Sequence, residues 1–537
     1  MFFNRYRAAG NDYNECVARG SCSTSPEIRA LQEVILIFLR QIAFYELKLE
    51  EINASYFENK DTVVEGVLAL IAAKEYTNDQ TLEIVSKIYS KMLYARKEYL
   101  NFCTENNLKC EDLKLTLKLN PKMTLTDIIQ SGEKAFLARY KKISLQQKNL
   151  YEILIMVIKS ICTNLIRLKE FNKFDDEAYK EILKGLNMLN YLHTSAEKIK
   201  DKIDKLALID ISLIDMLEAS QKEHFGDLKR KLVSQSTTPG KAILVSGTNL
   251  QNLYDVLKKS KDLDIDIYTH ADLLIGHAFS AMEEFPHLKG HYGSCFGNCV
   301  LDFATFPGAI LLTKNTYPNM EYLYRGKLFS AEDISPKGVI HITDEDYSPL
   351  FEAAIEAKGF SHGREVEAVE VGYDREETIN NLTKICDRLK SGDIEHLFII
   401  GLSDKSGAQE EYFKKLYKLM PQKSFVITFS YHFNTENELY INLVNNLPEA
   451  YNILKEIFIQ IPISSDKVSF FFTKCDANSI SNIINLSNMS AKHIFLAQCP
   501  PYVVNPNILS TLKNLYRILP TSTPQKDIEI ITGKNSD

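Results

Sequence analysis

The hydrophobic period of this sequence changes once, near Gln235–Gly240, and that change limits the folds open to the chain. Before it, apolar residues recur at three- and four-residue steps. In Glu27–Glu50 the set Leu31, Val34, Ile35, Phe38, Ile42 and Tyr45 makes one helical face. Asp61–Lys74, Asp79–Asn106, Thr126–Lys142, Gln147–Phe171, Asp175–Lys202 and Leu206–Glu223 repeat the pattern, with short connections and few Gly or Pro. This predicts a helical bundle, or two in series. The Ser/Thr/Pro/Gly stretch Gln235–Gly240 reads as a linker.

Beyond the linker, short β-rich runs alternate with helical segments. Lys241–Ser246 precedes Asn249–Ser260, and Ile265–Thr269 precedes Asp272–Phe285. Gly308–Thr313 and Gly338–Thr343 extend the series, and Tyr347–Lys358 reads as a helix. A second series runs through Glu395–Gly401, Ser424–Phe429, Lys467–Phe472 and His493–Gln498. Such alternation predicts doubly wound parallel sheets. The expected class is therefore multidomain α and α/β: a helical bundle domain at 1–237 and Rossmann-like domains at 238–377 and 378–537. Doubly wound sheets bind ligands beyond the carboxyl ends of their strands. That singles out Gly247–Asn249, His270–Asp272, Lys314–Tyr317, Leu402–Asp404, Tyr431–Phe433 and Phe472–Lys474.

Charge and cysteine usage narrow the class further. The net charge of -7 and pI near 6.0 argue against nucleic acid as a partner. The longest apolar runs, such as Val34–Phe38 and Phe398–Gly401, are too short to span a bilayer. Met1–Gly20 shows no secretory leader, and the 10 cysteines are scattered, which fits a reducing compartment. The expectation is a cytoplasmic monomer or homodimer without a membrane or nucleic-acid partner, acting on a small molecule or another protein.

The strand ends carry a family pattern. Val245–Leu257 (VSGTNLQNLYDVL) is similar to the stretch where hybrid cluster proteins have Ser-Gly-His-Asp-Leu. Ile267–Phe279 (IYTHADLLIGHAF) resembles that family's Tyr-Thr-His-Gly-Glu-Met-Leu-Pro-Ala-His. Phe285–Gly293 (FPHLKGHYG), Phe306–Asn315 (FPGAILLTKN), His396–Asp404 (HLFIIGLSD), Asn505–Leu509 (NPNIL) and the tail from Leu519 to Gly533 follow in the family order. The resemblance is collinear, covers the whole chain and is most specific in its middle third. It implies a helical N-terminal domain and two Rossmann-like domains, the organisation read above.

It also implies a cofactor set. The family, known as prismane proteins or hydroxylamine reductases, carries a 4Fe-4S cubane and a hybrid 4Fe-2O-2S cluster. The hybrid cluster is held by a His, two Glu and four Cys, beside a Lys. Carried over by position, the His becomes Thr248 and the first Glu becomes Asp272. The cysteines become Thr316, Ser403, Tyr431 and, at or near it, Leu447. The second Glu becomes Phe472, and the Lys stays as Lys474. At the cubane, the opening Cys pair falls on Phe3 and Tyr6, while Cys16 and Cys22 survive. Thiolates hold such clusters, so the expectation is that neither forms, and that no metal binds. The expected role is a pseudoenzyme used for binding, scaffolding or regulation. The alternatives are a hydroxylamine- or nitric oxide-reducing oxidoreductase, or an enzyme of altered chemistry in the same pocket.

Other candidates have plainer readings. Asp272 and Lys474 read as a neutralising pair before a substrate or single-metal site. Cys16 and Cys22 read as buried small hydrophobes. Cys295 and Cys299, near His291, have metal-ligand spacing but fall where the family has no ligands. His270 and His277 read as structural. Gly401–Gly407 (GLSDKSG) lacks P-loop spacing.

Overall fold

In a computed structural model of the chain, the residues described run from 26 to 533, less short internal stretches; the longer of these are 71–77, 294–298, 314–325, 333–337 and 498–505. The chain forms two compact units. One comprises residues 1–217 and 474–521, the other residues 218–473 and 522–537.

Seven helices open the described chain: α1 Pro26–Glu51, α2 Lys60–Leu68, α3 Asn78–Glu105, α4 Leu125–Tyr140, α5 Leu145–Lys169, α6 Asp176–Met188 and α7 Ala196–Phe225. The six α1 residues expected to form one apolar face are all fully buried. So are Leu39 and Ala43, while Leu36, Ile37 and Phe44 are nearly so. A helix apolar on every side belongs at the centre of a bundle. Helix α5 begins at a capping box, in which Ser144 and Gln147 satisfy each other's backbone N–H groups. It is long and apolar enough to cross a bilayer, yet most of its apolar window is packed inside the protein. Lys148, Asn149, Ser160 and Asn164 break it into shorter apolar runs, so unbroken runs alone do not mark it as a candidate span. The helix expected over Asp175–Lys202 is two. Asn190 lies in the break and donates to Arg40 O and Asn187 Oδ1, both at 2.9 Å. A disulfide joins Cys103, in the last turn of α3, to Cys110 beyond it, the one bonded pair among the described cysteines.

Buried polar groups meet at Asp210 inside this unit. Asp210 of α7 is fully buried. It accepts from Ser160 Oγ at 2.5 Å and from Asn164 Nδ2 at 2.9 Å. Ser160 Oγ also lies 2.7 Å from Asn478 Oδ1. Burial raises the Asp210 carboxyl to about 6, against the pull of its hydrogen bonds.

Two six-stranded parallel sheets follow, as the alternating pattern predicts. The elements are β1 Lys231–Val233, β2 Ala242–Gly247, α8 Leu250–Lys259, β3 Asp266–His270, β4 Leu288–His291, α9 Cys299–Thr305, β5 Ala309–Thr313, β6 Leu328–Ser330, β7 Ile340–His341 and α10 Ser348–Glu356. Then come β8 Val369–Val371, α11 Arg375–Ser391, β9 His396–Ile400, α12 Gly407–Leu419, β10 Ser424–Thr428, β11 Glu438–Tyr440, α13 Leu447–Gln460 and β12 Val468–Phe472. The chain ends with α14 Ala477–Asn488, β13 His493–Leu496, α15 Pro506–Tyr516, β14 Ile518–Pro520 and α16 Pro524–Thr532. The strand orders are β4-β3-β2-β5-β6-β7 and β11-β10-β9-β12-β13-β14, and β1 pairs with β8 as a small antiparallel ribbon. Each large sheet runs third, second, first, fourth, fifth, sixth, the doubly wound Rossmann order. Strands such as β5 and β10 are buried at every position. That is why they read as unbroken apolar runs rather than alternating ones.

One expected helix is absent. Asp272–Phe285 forms two short 3₁₀ turns, Ala271–Ala278 and Ser280–Glu284, instead of an α-helix. Ala271 enters at φ +59 and Phe279 is extended at φ -79, ψ 136, so no continuous α-helical ladder can form.

Candidate functional site

Both large sheets reverse their winding between the first and fourth strands, at β2/β5 and at β9/β12. Ligands of doubly wound sheets bind beyond such switch points. Thr248 lies just past β2. Gly247, at φ +131, turns the chain there, a conformation open to glycine. The Thr248 N–H donates to Thr313 O of β5 at 2.9 Å. The Asn249 N–H donates to Thr313 Oγ1 at 3.3 Å, and Asn249 Oδ1 caps α8 by accepting from Asn252 N–H at 3.0 Å. The turn is thus fixed by the neighbouring strand, leaving Thr248 half-buried.

Asp272 is placed past β3 by Ala271, whose left-handed backbone is unusual for a residue with a β-carbon. Its Oδ1 accepts from Asn445 Nδ2 at 2.7 Å. Asn445 stands two residues before Leu447, the first residue of α13. The structure therefore joins Asp272 to the segment leading into Leu447. Sequence reasoning missed Asn445. Asp272 and Lys474 fall in different compact units.

At the second sheet, Ser403 follows β9 and Tyr431 follows β10. Both are buried, 8% and 7% exposed, and their hydroxyl oxygens lie 2.9 Å apart. Each also reaches Gln409 Oε1, Ser403 at 2.8 Å and Tyr431 at 3.2 Å. Gln409 Nε2 donates to Thr473 O, past β12, at 2.7 Å. Phe413 stacks on the Tyr431 ring at 5.1 Å and meets Phe471 edge-on at 5.9 Å. Two residues 28 apart in sequence are thus tied by a glutamine that sequence reasoning missed. Gln409 stands in the first turn of α12, after the GLSDKSG segment, of which residues 404–406 lie outside the described residues. Phe472 ends β12 and Lys474 lies two residues on; both are half-buried. Replacing Gln409 with leucine removes both acceptor and donor, and is expected to cost about 1–3 kcal/mol of stability in denaturant titrations.

Histidines form a separate buried network. Ser246 Oγ lies 2.7 Å from His270 Nδ1, and His270 Nε2 lies 3.2 Å from Asp302 Oδ2. Thr269 Oγ1 bridges His277 Nε2 at 2.9 Å and His291 Nδ1 at 3.0 Å. Burial lowers His277 to about 4 and holds His291 well below the ordinary range. These rings are bonded to strand-end groups, consistent with the structural reading of His270 and His277. Cys299 packs in an apolar cluster with Tyr268, Phe303 and Phe306.

Phe3, Tyr6, Cys16, Cys22, Cys295 and Thr316 lie outside the described residues. Among the described residues, no group of three or more His, Cys, Asp or Glu is placed to hold a metal ion.

Comparison with known proteins gives the lineage. Residues 12–439 match the family model described as Prismane/CO dehydrogenase family. The hydroxylamine reductase of Gloeothece citriformis is 25% identical over 541 residues, covering 96% of this chain and 97% of that one. That of Thermodesulfovibrio yellowstonii is 24% identical, covering 96% and 98%. That of Maridesulfovibrio salexigens is 25% identical, covering 96% and 97%. With the family model spanning most of its length and two sheets in Rossmann order behind a helical region, the chain belongs to the Prismane/CO dehydrogenase family.

Proposed function

We propose that this chain keeps the hybrid-cluster-protein architecture without the clusters, and acts in the cytoplasm as a binding, scaffolding or regulatory protein rather than a hydroxylamine reductase. The observation that carries this reading is the Ser403–Tyr431–Gln409 arrangement. At two positions where the family resemblance calls for thiolates, the structure has hydroxyls 2.9 Å apart that also reach a glutamine. A cluster atom would need the space and the lone pairs those groups use on one another. The donor chemistry agrees. Iron–sulfur clusters require anionic sulfur. Serine and tyrosine hydroxyls are neutral at pH 7, and the side chains of Leu447 and Phe472 donate nothing. The described residues therefore do not fit the hybrid cluster, and no reaction step is drawn through it. The aromatic packing of Phe413 and Phe471 around Tyr431 adds apolar bulk at the same place.

The test is anaerobic expression with iron and sulfide supplied. The purified protein is expected to be colourless, with iron and acid-labile sulfide well below stoichiometric amounts. It is expected to show no hydroxylamine-dependent oxidation of a reduced viologen dye. A brown protein with broad visible absorption and several irons per chain would overturn the proposal.

A further inference from the structure

A second place in the molecule has the form of a ligand site. A cavity of 520 Å³ opens among the C-terminal end of α7, the first turn of α11 and the first turn of α13. That volume is in the range of small-molecule sites. Its wall carries five carboxylates and two cationic side chains. Most of these charges have partners. Asp374 caps α11 by accepting from Glu377 N–H at 2.7 Å. Asp227 pairs with Lys222 at 2.9 Å. Arg375 lies 3.9 Å from both Glu218 and Glu456. Glu376 is exposed at the mouth.

Glu449 differs from the rest. It is only 6% exposed, and its Oε2 accepts from Tyr373 OH at 2.6 Å. Among the described residues nothing donates to its Oε1. Tyr373 is also buried, at 4% exposed, so the two make a sunken acceptor at one end of an acidic cavity. Desolvation by burial holds the Glu449 carboxyl above its usual range, and the Tyr373 hydrogen bond and the charges of Arg375 and Lys222 offset it only in part.

We propose that this cavity binds a small organic cation through a primary ammonium group, as in a short diamine, with the ammonium on Glu449 Oε1. The arrangement selects among cations. A guanidinium fork uses both carboxylate oxygens in parallel, and Tyr373 already occupies Oε2. A hard divalent metal wants six or more oxygen ligands or an octahedral shell, whereas Asp374 here is engaged in a cap, Asp227 and Glu218 lie beside Lys222 and Arg375, and only Glu376 is left to join Glu449. An ammonium group is a compact point charge with three donors, and a single acceptor oxygen can seat it. Glu376 at the mouth provides a second acidic position for the far end of a diamine. The site is independent of the strand-end positions and of any cluster.

Calorimetry and thermal melting on the full chain test this with 1,4-diaminobutane as probe and 1,4-diguanidinobutane, 1-butanol and magnesium chloride as comparisons. Diaminobutane is expected to bind saturably and raise the melting temperature, with diguanidinobutane, butanol and magnesium each about tenfold weaker or more. Glu449→Gln retains the side-chain shape and an acceptor for Tyr373, and is expected to weaken diaminobutane at least about tenfold. Tyr373→Phe, a second variant that leaves the carboxylate, frees Oε2 and is expected to narrow the preference over 1,4-diguanidinobutane. Three results would each overturn the proposal: no saturable binding at about 10 mM diaminobutane, equal affinity in Glu449→Gln, or magnesium binding as tightly as the diamine.

Discussion

Asp210→Asn is expected to stabilise the helical unit by up to about 3 kcal/mol at pH 8 and by nothing near pH 4. The carboxyl of Asp210 is fully buried, and burial lifts it to about 6 in the folded protein from an ordinary value of 3.8. Below pH 4 both folded and unfolded chains carry the proton, and the group adds no penalty. As pH rises through 4 the unfolded chain ionises first, so the folded state loses stability until pH passes 6. The penalty is then complete, at about 1.4 kcal/mol for each pH unit separating the two values. Asparagine removes the charge and can still be satisfied. Its Nδ2 can donate to Ser160 Oγ, whose own proton turns to Asn478 Oδ1, now 2.7 Å away. Its Oδ1 can keep the 2.9 Å bond from Asn164 Nδ2. Urea titrations at pH 4, 6 and 8 measure the difference. A variant less stable than the parent at pH 8 would show that the buried carboxylate is compensated in solution by something these contacts lack.

The opposite sign is expected from the histidine network. His277 is neutral in the folded protein, held by burial at about 4 against an ordinary value of 6.5. Folding stability from this group is complete above pH 6.5. It falls as pH drops, because the unfolded chain binds the proton first, and about 3 kcal/mol is gone by pH 4. His291, also held well below its ordinary range, adds a loss of the same sign. Burial excludes the proton, and the hydrogen bonds show what a proton would disturb. His277 bonds the Gly290 carbonyl through Nδ1–H. Its Nε2 must then accept from Thr269, whose oxygen in turn accepts from His291 Nδ1–H. A proton on His277 Nε2 would reverse Thr269 and force a change of tautomer at His291. Proton NMR should find no protonation of His277 above pH 5 in the folded protein, and denaturation midpoints of the Asp210→Asn variant should fall steadily between pH 6.5 and 4. Titration of His277 near 6.5 without loss of stability would refute the assignment. The variant is the better background, since in the parent chain Asp210 and His277 act in opposite directions over this interval.

Much of the architecture was legible because each element's burial leaves its own period. Helix α1 declared itself by three- and four-residue steps, and β2, β5, β9, β10 and β12 by short apolar runs buried on both faces. The failures lie where local pattern and local geometry part. Asp272–Phe285 is rich in Leu, Ala and Met and reads as α-helix, yet left-handed Ala271 and extended Phe279 divide it into two 3₁₀ turns. Asp175–Lys202 reads as one helix, yet polar tethers from Asn190 hold it open between α6 and α7.

The sequence by itself determined the class of fold, the family, and which residue types stand at the strand ends. It did so because hydrophobic period is a local property and because donor chemistry follows from residue identity alone. Only the tertiary structure decided which of those residues meet. Ser403, Gln409 and Tyr431 converge because β9 and β10 are neighbours in a parallel sheet, where pairing joins residues a whole strand–helix unit apart. Asn445 reaches Asp272, and Glu449 faces the end of α7, for the same kind of reason. Crossover connections bring distant segments into register, and no periodicity within either segment records its partner.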